Sequence, residues 1–301
     1  MAENANPPYQ PETLKSTIRR KSQLQLTYQG VKKDKLAFCA LWFLLIVILI
    51  SIMAPVIAPE GYNEARPELR LSPLLTSGHI FGTDGQGRDI LVRLIYGGRI
   101  SLPIAAVPVL FSGIMGFFIG LVAGYSRGAL NQIIMRIMDV FFAFPMVLLA
   151  IAIAGILGPG MMNVMLSIVI VLVPYVARVA FTATMVIRDF EFVEAAQAGG
   201  ASRLRIMFRE ILPNIFSPIL VYCTTLFGNM IIMAAGLSFL GLGIQPPVPD
   251  WGIMCSDGRS VLGVAPHVTA IPGIMILLVS LSLNVIGDGL RDALDPRLRN
   301  L

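Results

Sequence analysis

The side chains best suited to metal or nucleophilic chemistry in this chain are those of His79, His267, Cys39, Cys223 and Cys255. None stand at the short spacings, such as C-x2-C or H-x3-H, that gather ligands onto one ion, so neither a metal centre nor a cofactor is expected. Cys39 and Cys223 fall in apolar runs and read as small hydrophobes, whereas Cys255 reads as accessible; a disulfide framework is not expected. His267 is the one imidazole in an apolar segment and has no evident partner for a nucleophile–base pair. Nucleotide chemistry fails on the same inspection. A Walker A loop needs G-K-[S/T], but all five lysines lie within the first 35 residues and none directly follows a glycine. Among ionisable groups in apolar surroundings, Arg136 and Asp139 are three apart, which favours a local ion pair on one helix face over a proton relay. Together with Arg178 they read as lying near span ends, which leaves a secondary transporter without ion-coupling groups deep in the membrane.

The elements that must position these residues are set by composition. Hydrophobic residues make up 55% of the 301 positions, charged residues only 14%, and mean hydropathy is +0.76. Soluble domains carry about 25% charged residues, so most of this chain belongs in lipid. Six segments are long enough for the ~30 Å hydrocarbon core: roughly 36–58, 101–124, 136–158, 162–185, 214–244 and 265–287. The fifth exceeds a straight crossing, and its Gly-rich end, "AAGLSFLGLGIQPP", predicts a bend or exit between Gly236 and Gly243. The first run starts too far from Met1 and is too long for a cleaved signal, which suits a retained span. The expected organisation is a polar arm (1–35), a first span (36–58), an outer segment (59–100), a core (101–287) and a tail (288–301).

Six spans place both termini on one side. With the N-terminus inside, cytoplasmic segments hold 17 Lys/Arg and outer segments 6, which makes both termini cytoplasmic. Arg88, Arg93 and Arg99 oppose the rule. The net charge of +5 therefore speaks of orientation, not of nucleic acid. Trp251, beside Pro249 and Asp250, reads as an interfacial anchor. In the outer segment, Asp84, Arg88 and Asp89 fit either a partner contact or a self-capping turn.

One cytoplasmic stretch breaks the oily pattern: "EFVEAAQAGGASRLRIMFREILPN", residues 191–214, with six charges. Asp189 to Ala198 predicts a short helix closed by Gly199-Gly200, at least one of them at positive φ. Ser202 predicts the cap of a second helix, Arg203 to about Ile211, with Leu204, Met207, Phe208 and Ile211 on one face. Pro213 suits the first turn of span five. Such a hairpin is suited to being held by another protein. A DNA-reading helix-turn-helix has this shape, but both ends here are tethered to membrane.

The stretch resembles the EAA loop of ABC-importer permeases, E-A-A-x3-G-x9-I-x-L-P. Glu194, Ala195, Ala196, Gly200, Leu212 and Pro213 fall in register, and Glu210 replaces the usual Ile. "FGTDGQGRDILVRLIYGGRISL" (81–102), "RIMDVFFAFPMVLLAIAIAGILGPG" (136–160), "LSFLGLGIQPPVPDWG" (237–252) and "GDGLRDALDPRLR" (287–299) resemble the peptide/nickel subgroup. The resemblance implies an all-α integral membrane protein of the bacterial inner membrane, with a cytoplasmic coupling loop at 188–213 that includes Arg203. It further implies a second, homologous permease, two cytoplasmic ATP-binding subunits, an extracytoplasmic substrate-binding protein, and substrates that are di- or oligopeptides or nickel. ATP hydrolysis would then belong to the partner chains.

Overall fold

The computed structural model describes residues 34–294; the arm up to residue 33 and the tail residues 295–301 lie outside the described residues. Nine helices of eight residues or more organise the described residues. They are α1 (Lys35–Ile52), α2 (Ile90–Tyr125), α3 (Ala129–Phe142), α4 (Met146–Leu157), α5 (Met161–Arg188), α6 (Glu191–Ala198), α7 (Arg203–Phe239), α8 (Trp251–Gly258) and α9 (His267–Leu294). Five of them, α1, α2, α5, α7 and α9, are each long and apolar enough to cross a bilayer, and the bent pair α3–α4 makes a sixth candidate. The protein is an all-helical, multi-pass membrane protein.

Local signals explain most of the boundaries. Asp34 caps α1 by accepting from Leu36 N at 2.9 Å, and Asp89 caps α2 by accepting from Val92 N at 2.9 Å. The second span was expected from residue 101, but α2 starts at Ile90 and runs 36 residues, about 54 Å at 1.5 Å per residue. That exceeds the ~30 Å core, so part of α2 stands outside the bilayer. The expected third span, 136–158, is broken: α3 and α4 meet at 88° around Ala143, Phe144 and Pro145. Pro145 lacks an N–H and its ring opposes a continuing helix, which accounts for the break. Span five ends at Phe239, and Gly241 at φ +80° turns the chain, within the expected exit region.

The most extensive packing joins α2 to α5. Gly116, Gly120 and Gly124, four apart on one face of α2, let the α5 backbone approach closely. A Cβ at Gly116 would lie 2.6 Å from Val176 Cβ, one at Gly120 would lie 2.5 Å from Ala180 Cβ, and one at Gly124 would lie 2.6 Å from Thr184 Cβ. Helix α7 packs on α9, where Ser280 Oγ donates to the Gly228 carbonyl at 2.8 Å.

Trp251 is no interfacial anchor. It is 1% exposed, its Nε1 donates to the Leu94 carbonyl at 2.9 Å, and its ring lies over Gly97 and Gly98 of α2. Its backbone N–H donates to Ser101 Oγ at 2.9 Å, so the segment before α8 is pinned to α2. Apolar burial of so large a ring outweighs its interfacial preference.

Candidate functional site

The hairpin of residues 188–213 forms from local signals and is then fastened to the bundle. Helix α6 ends in a left-handed glycine, Gly200 at φ +76°. Its N–H donates to the Gln197 carbonyl at 3.0 Å, and Ala201 N–H donates to the Ala196 carbonyl at 3.1 Å. These paired bonds make a Schellman closure. Gly199 has negative φ, so Gly200 alone meets the expectation of a positive angle. Ser202 Oγ caps α7 by accepting from Arg205 N at 3.4 Å.

Helix α7 does not stop at residue 211 and restart. It runs as α-helix over Arg203–Ile206, as π-helix over Met207–Ile211 and again as α-helix over Leu212–Phe239. Pro213 sits at the start of the second α-helical stretch, beside the π turn. The wide turn shifts the helical phase, and the four side chains read onto one face do not share one environment. Leu204 and Phe208 are 67% and 51% exposed, while Ile206, Met207 and Ile211 are buried. Val193, fully buried, fastens α6 in the same way.

Charged contacts tie the hairpin to the helix ends. Arg188 Nη1 donates to the Gly124 carbonyl at 2.8 Å, and Arg127 lies 3.6 Å from Asp189. A groove of about 380 Å³ lies elsewhere, near residues 57–92, whereas one of about 730 Å³ opens beside the hairpin between Tyr125, Arg127, Gln197, Arg203 and Leu204. Glu194, Ala195, Gly200, Arg203 and Pro213 are exposed; Ala196 and Leu212 are half-buried. These positions run from α6 through the Gly200 turn to the start of the second α-helical stretch of α7. Glu210 is half-buried at the π turn, where its carbonyl accepts from Asn214 Nδ2 at 2.6 Å. Two more apolar side chains, Phe190 and Phe192, are exposed on the hairpin with ring centroids 6.0 Å apart. Sequence reasoning missed these. The arrangement offers no reacting group; it offers a rigid surface with apolar knobs and basic flanks.

At the other end of the bundle, two of the three positively charged exceptions, Arg88 and Arg93, are buried and paired. Arg88 Nε reaches Asp84 Oδ2 at 2.7 Å, and Arg93 Nε reaches the same atom at 3.5 Å. Asp257 of α8 lies 3.5 Å from Arg88 Nη2 and 3.6 Å from Arg93 Nη2. Two buried arginines and two aspartates neutralise one another in charge. Burial pushes the Asp257 carboxyl above its ordinary range, against the pull of the two arginines. Asp84 also caps its own turn by accepting from Gln86 N at 2.8 Å and from Arg88 N at 3.0 Å. The turn-forming role of these residues is therefore realised. His79 Nδ1 lies 2.6 Å from Asp89 Oδ2, and His267 Nε2 donates to the Ser72 carbonyl at 3.2 Å. No cluster able to hold a metal ion occurs among the described residues. Cys255 is half-buried with its thiol raised to about 11 by burial, not freely accessible as expected, while Cys39 is exposed.

Arg136 and Asp139 do approach, at 3.9 Å, but Asp139 has a nearer partner in Arg178 of α5. Helices α3 and α5 extend further than the sequence boundaries of 136 and 185. Nine uncharged residues separate Arg178 from Arg188, so Arg178 stands about 15 Å along α5 from that helix end.

Residues 116–300 match the family described as the binding-protein-dependent transport system inner membrane component, and residues 22–73 match the N-terminal transmembrane domain of oligopeptide transport permease C. The chain is 45% identical over 273 residues to the dipeptide transport system permease protein DppC of Alkalihalophilus pseudofirmus, covering 91% of this chain and 90% of that one. It is 42% identical over 284 residues to the di/tripeptide transport system permease protein DppC of Pseudomonas aeruginosa, covering 93% and 94%. It is 43% identical over 268 residues to the glutathione transport system permease protein GsiD of Pectobacterium atrosepticum, covering 89% of each. In fold it is similar to the MetNI methionine ABC transporter in an inward-facing conformation, with TM-score 0.56 and 17% identity, covering 68% of this chain and 98% of that one. Family, span pattern and fold agree: the chain belongs to the inner-membrane components of binding-protein-dependent transport systems and is a permease subunit of an ABC importer.

Proposed function

We propose that the chain conducts short peptides across the inner membrane and that the 188–213 hairpin is the seat of an ATP-hydrolysing partner. The observation that carries this is mechanical. The hairpin is closed by Gly200, fastened through Val193 and continuous through the π turn with α7, so displacement of the hairpin must displace a spanning helix. Rigid elements with two arrangements convert such a displacement into alternating access. Glu194, Ala195, Ala196, Gly200, Arg203, Leu212 and Pro213 form the coupling surface. A second, homologous permease completes the path, two ATP-binding subunits hold the paired hairpins in the cytoplasm, and an external binding protein delivers substrate at the 59–100 and 245–264 side. Both termini are cytoplasmic, as the 17-to-6 distribution of Lys/Arg supports. The relatives' names favour short peptides over nickel. Uptake of a labelled dipeptide by cells carrying or lacking this chain tests the reading; uptake unchanged by the deletion, in a strain with no other dipeptide importer, refutes it.

A further inference from the structure

The charged cluster of α3 and α5 has no place in the coupling scheme. Arg178 pairs with Asp139, and Arg136 lies 3.9 Å from the same carboxylate. The Arg178 guanidinium also lies over the Phe142 ring at 4.9 Å, and that ring meets Tyr175 edge-on at 4.7 Å. Arg178 and Asp139 side chains remain 45% and 43% exposed, and Arg136 is 86% exposed. Charges exposed within apolar spans are costly in lipid and face a bundle interior or a water-filled cavity. A second observation agrees. The α3–α4 break at Ala143, Phe144 and Pro145 is exposed, and interrupted backbone at membrane depth is tolerated where it is covered by protein or lines a wet cavity.

We infer that Arg136, Asp139 and Arg178 line the translocation path and that Arg178 binds the carboxylate of the passing solute. The charge balance sets the ligand class. Two guanidinium groups share one carboxylate, which leaves one positive charge uncompensated. Arg178 offers five N–H donors in a fork suited to a planar carboxylate. When it turns to the solute, Arg136 remains to hold Asp139, so the carboxylate keeps a partner. The C-terminal carboxylate of a short peptide completes the station. The inference deepens the peptide reading above and rests on it.

The test uses the complete transport complex in vesicles of phosphatidylethanolamine and phosphatidylglycerol, with dialanine and its C-terminal amide as probes. Because the same binding protein delivers both probes to every variant, its own preference cancels when variants are compared with wild type. Arg178→Gln lowers dialanine uptake roughly tenfold, the loss of one charge-assisted pair, and changes amide uptake by less than about twofold. Arg178→Lys falls between, because the charge remains while the fork is lost. An equal fall for both probes would reveal a structural tie, and no fall for either would reveal an idle surface; each overturns the inference. In a Cys-free background, Ala143→Cys reacts with a charged thiol reagent from the aqueous phase, and absence of reaction also overturns it. Wild-type vesicles that import neither probe refute the peptide reading itself, and this inference with it.

Discussion

Gly200 gives the most exposed test of the coupling role. At φ +76° it occupies the left-handed region, which costs a residue with a Cβ about 1–2 kcal/mol. No atom lies within 4 Å of the position a Cβ would take, so within the chain the penalty is backbone strain alone. That strain falls on an exposed turn remote from the α2–α5 core, and the spans should fold normally. If the Schellman geometry sets the presentation of α6 to its partner, 1–2 kcal/mol lowers the docked population roughly 5- to 30-fold. Gly200→Asn separates two causes. Asn enters the left-handed region more readily than Ala, so Gly200→Asn exceeds Gly200→Ala in uptake if backbone angle governs. It falls below Gly200→Ala if the partner's close approach governs. Gly200→Asp adds negative charge near Glu194 and is the most damaging of the three. The assay is uptake together with co-purification of the ATP-binding chains, at equal amounts of membrane protein. Full uptake by Gly200→Asp would mean that the hairpin is a mere connector, and the coupling reasoning would fall.

Three other outcomes are expected. In a Cys-free background, Ser77→Cys reacts with an impermeant thiol reagent in intact spheroplasts and Ser202→Cys does not; labelling of Ser202→Cys overturns the orientation. Gly120→Leu forces a side chain into the α2–α5 contact, where overpacking costs about 1–3 kcal/mol, so the thermal transition in detergent drops; an unchanged transition would show that the glycine stripe is not needed. Asp89→Asn keeps an acceptor for the cap of α2 and leaves the ATP-binding chains bound to the complex, whereas their loss from a folded complex would place coupling on the wrong side of the membrane.

The hairpin was legible in the sequence because its determinants are local: Gly199-Gly200 and the Ser202 cap each act within a few residues. The exit of α7 near Gly241 was legible for the same reason. What escaped detection depends on distant partners or on helical phase. The pairing of Arg88 and Arg93 was hidden because Asp257, which lies against both, is far along the chain. Trp251 read as an interface residue because nothing near it reveals the Gly97-Gly98 slot that buries it. Hydropathy merged α3 and α4 into one span, since a break of three residues hardly lowers an average, although Pro145 marks it. Sequence periodicity also gave no sign of the π turn at Met207–Ile211, beside which Met207 and Ile211 are buried while Leu204 and Phe208 are exposed. The stripe of Gly116, Gly120 and Gly124 was present to be read as a small-residue packing motif and passed unnoticed.

The central claim is that an ATP-hydrolysing chain sits on the 188–213 hairpin, and site-directed cross-linking tests it most directly. Gln197 is exposed beside the Schellman turn, and Gln197→Cys in a Cys-free, transport-active complex places a reactive group on the proposed seat. A short bifunctional thiol reagent should join this position to a nucleotide-binding chain, with a yield that changes when ATP is trapped, while Ser77→Cys gives no such adduct. An assembled, active complex in which Gln197→Cys yields no adduct with the ATP-binding chain, or in which Ser77→Cys does, would contradict the account.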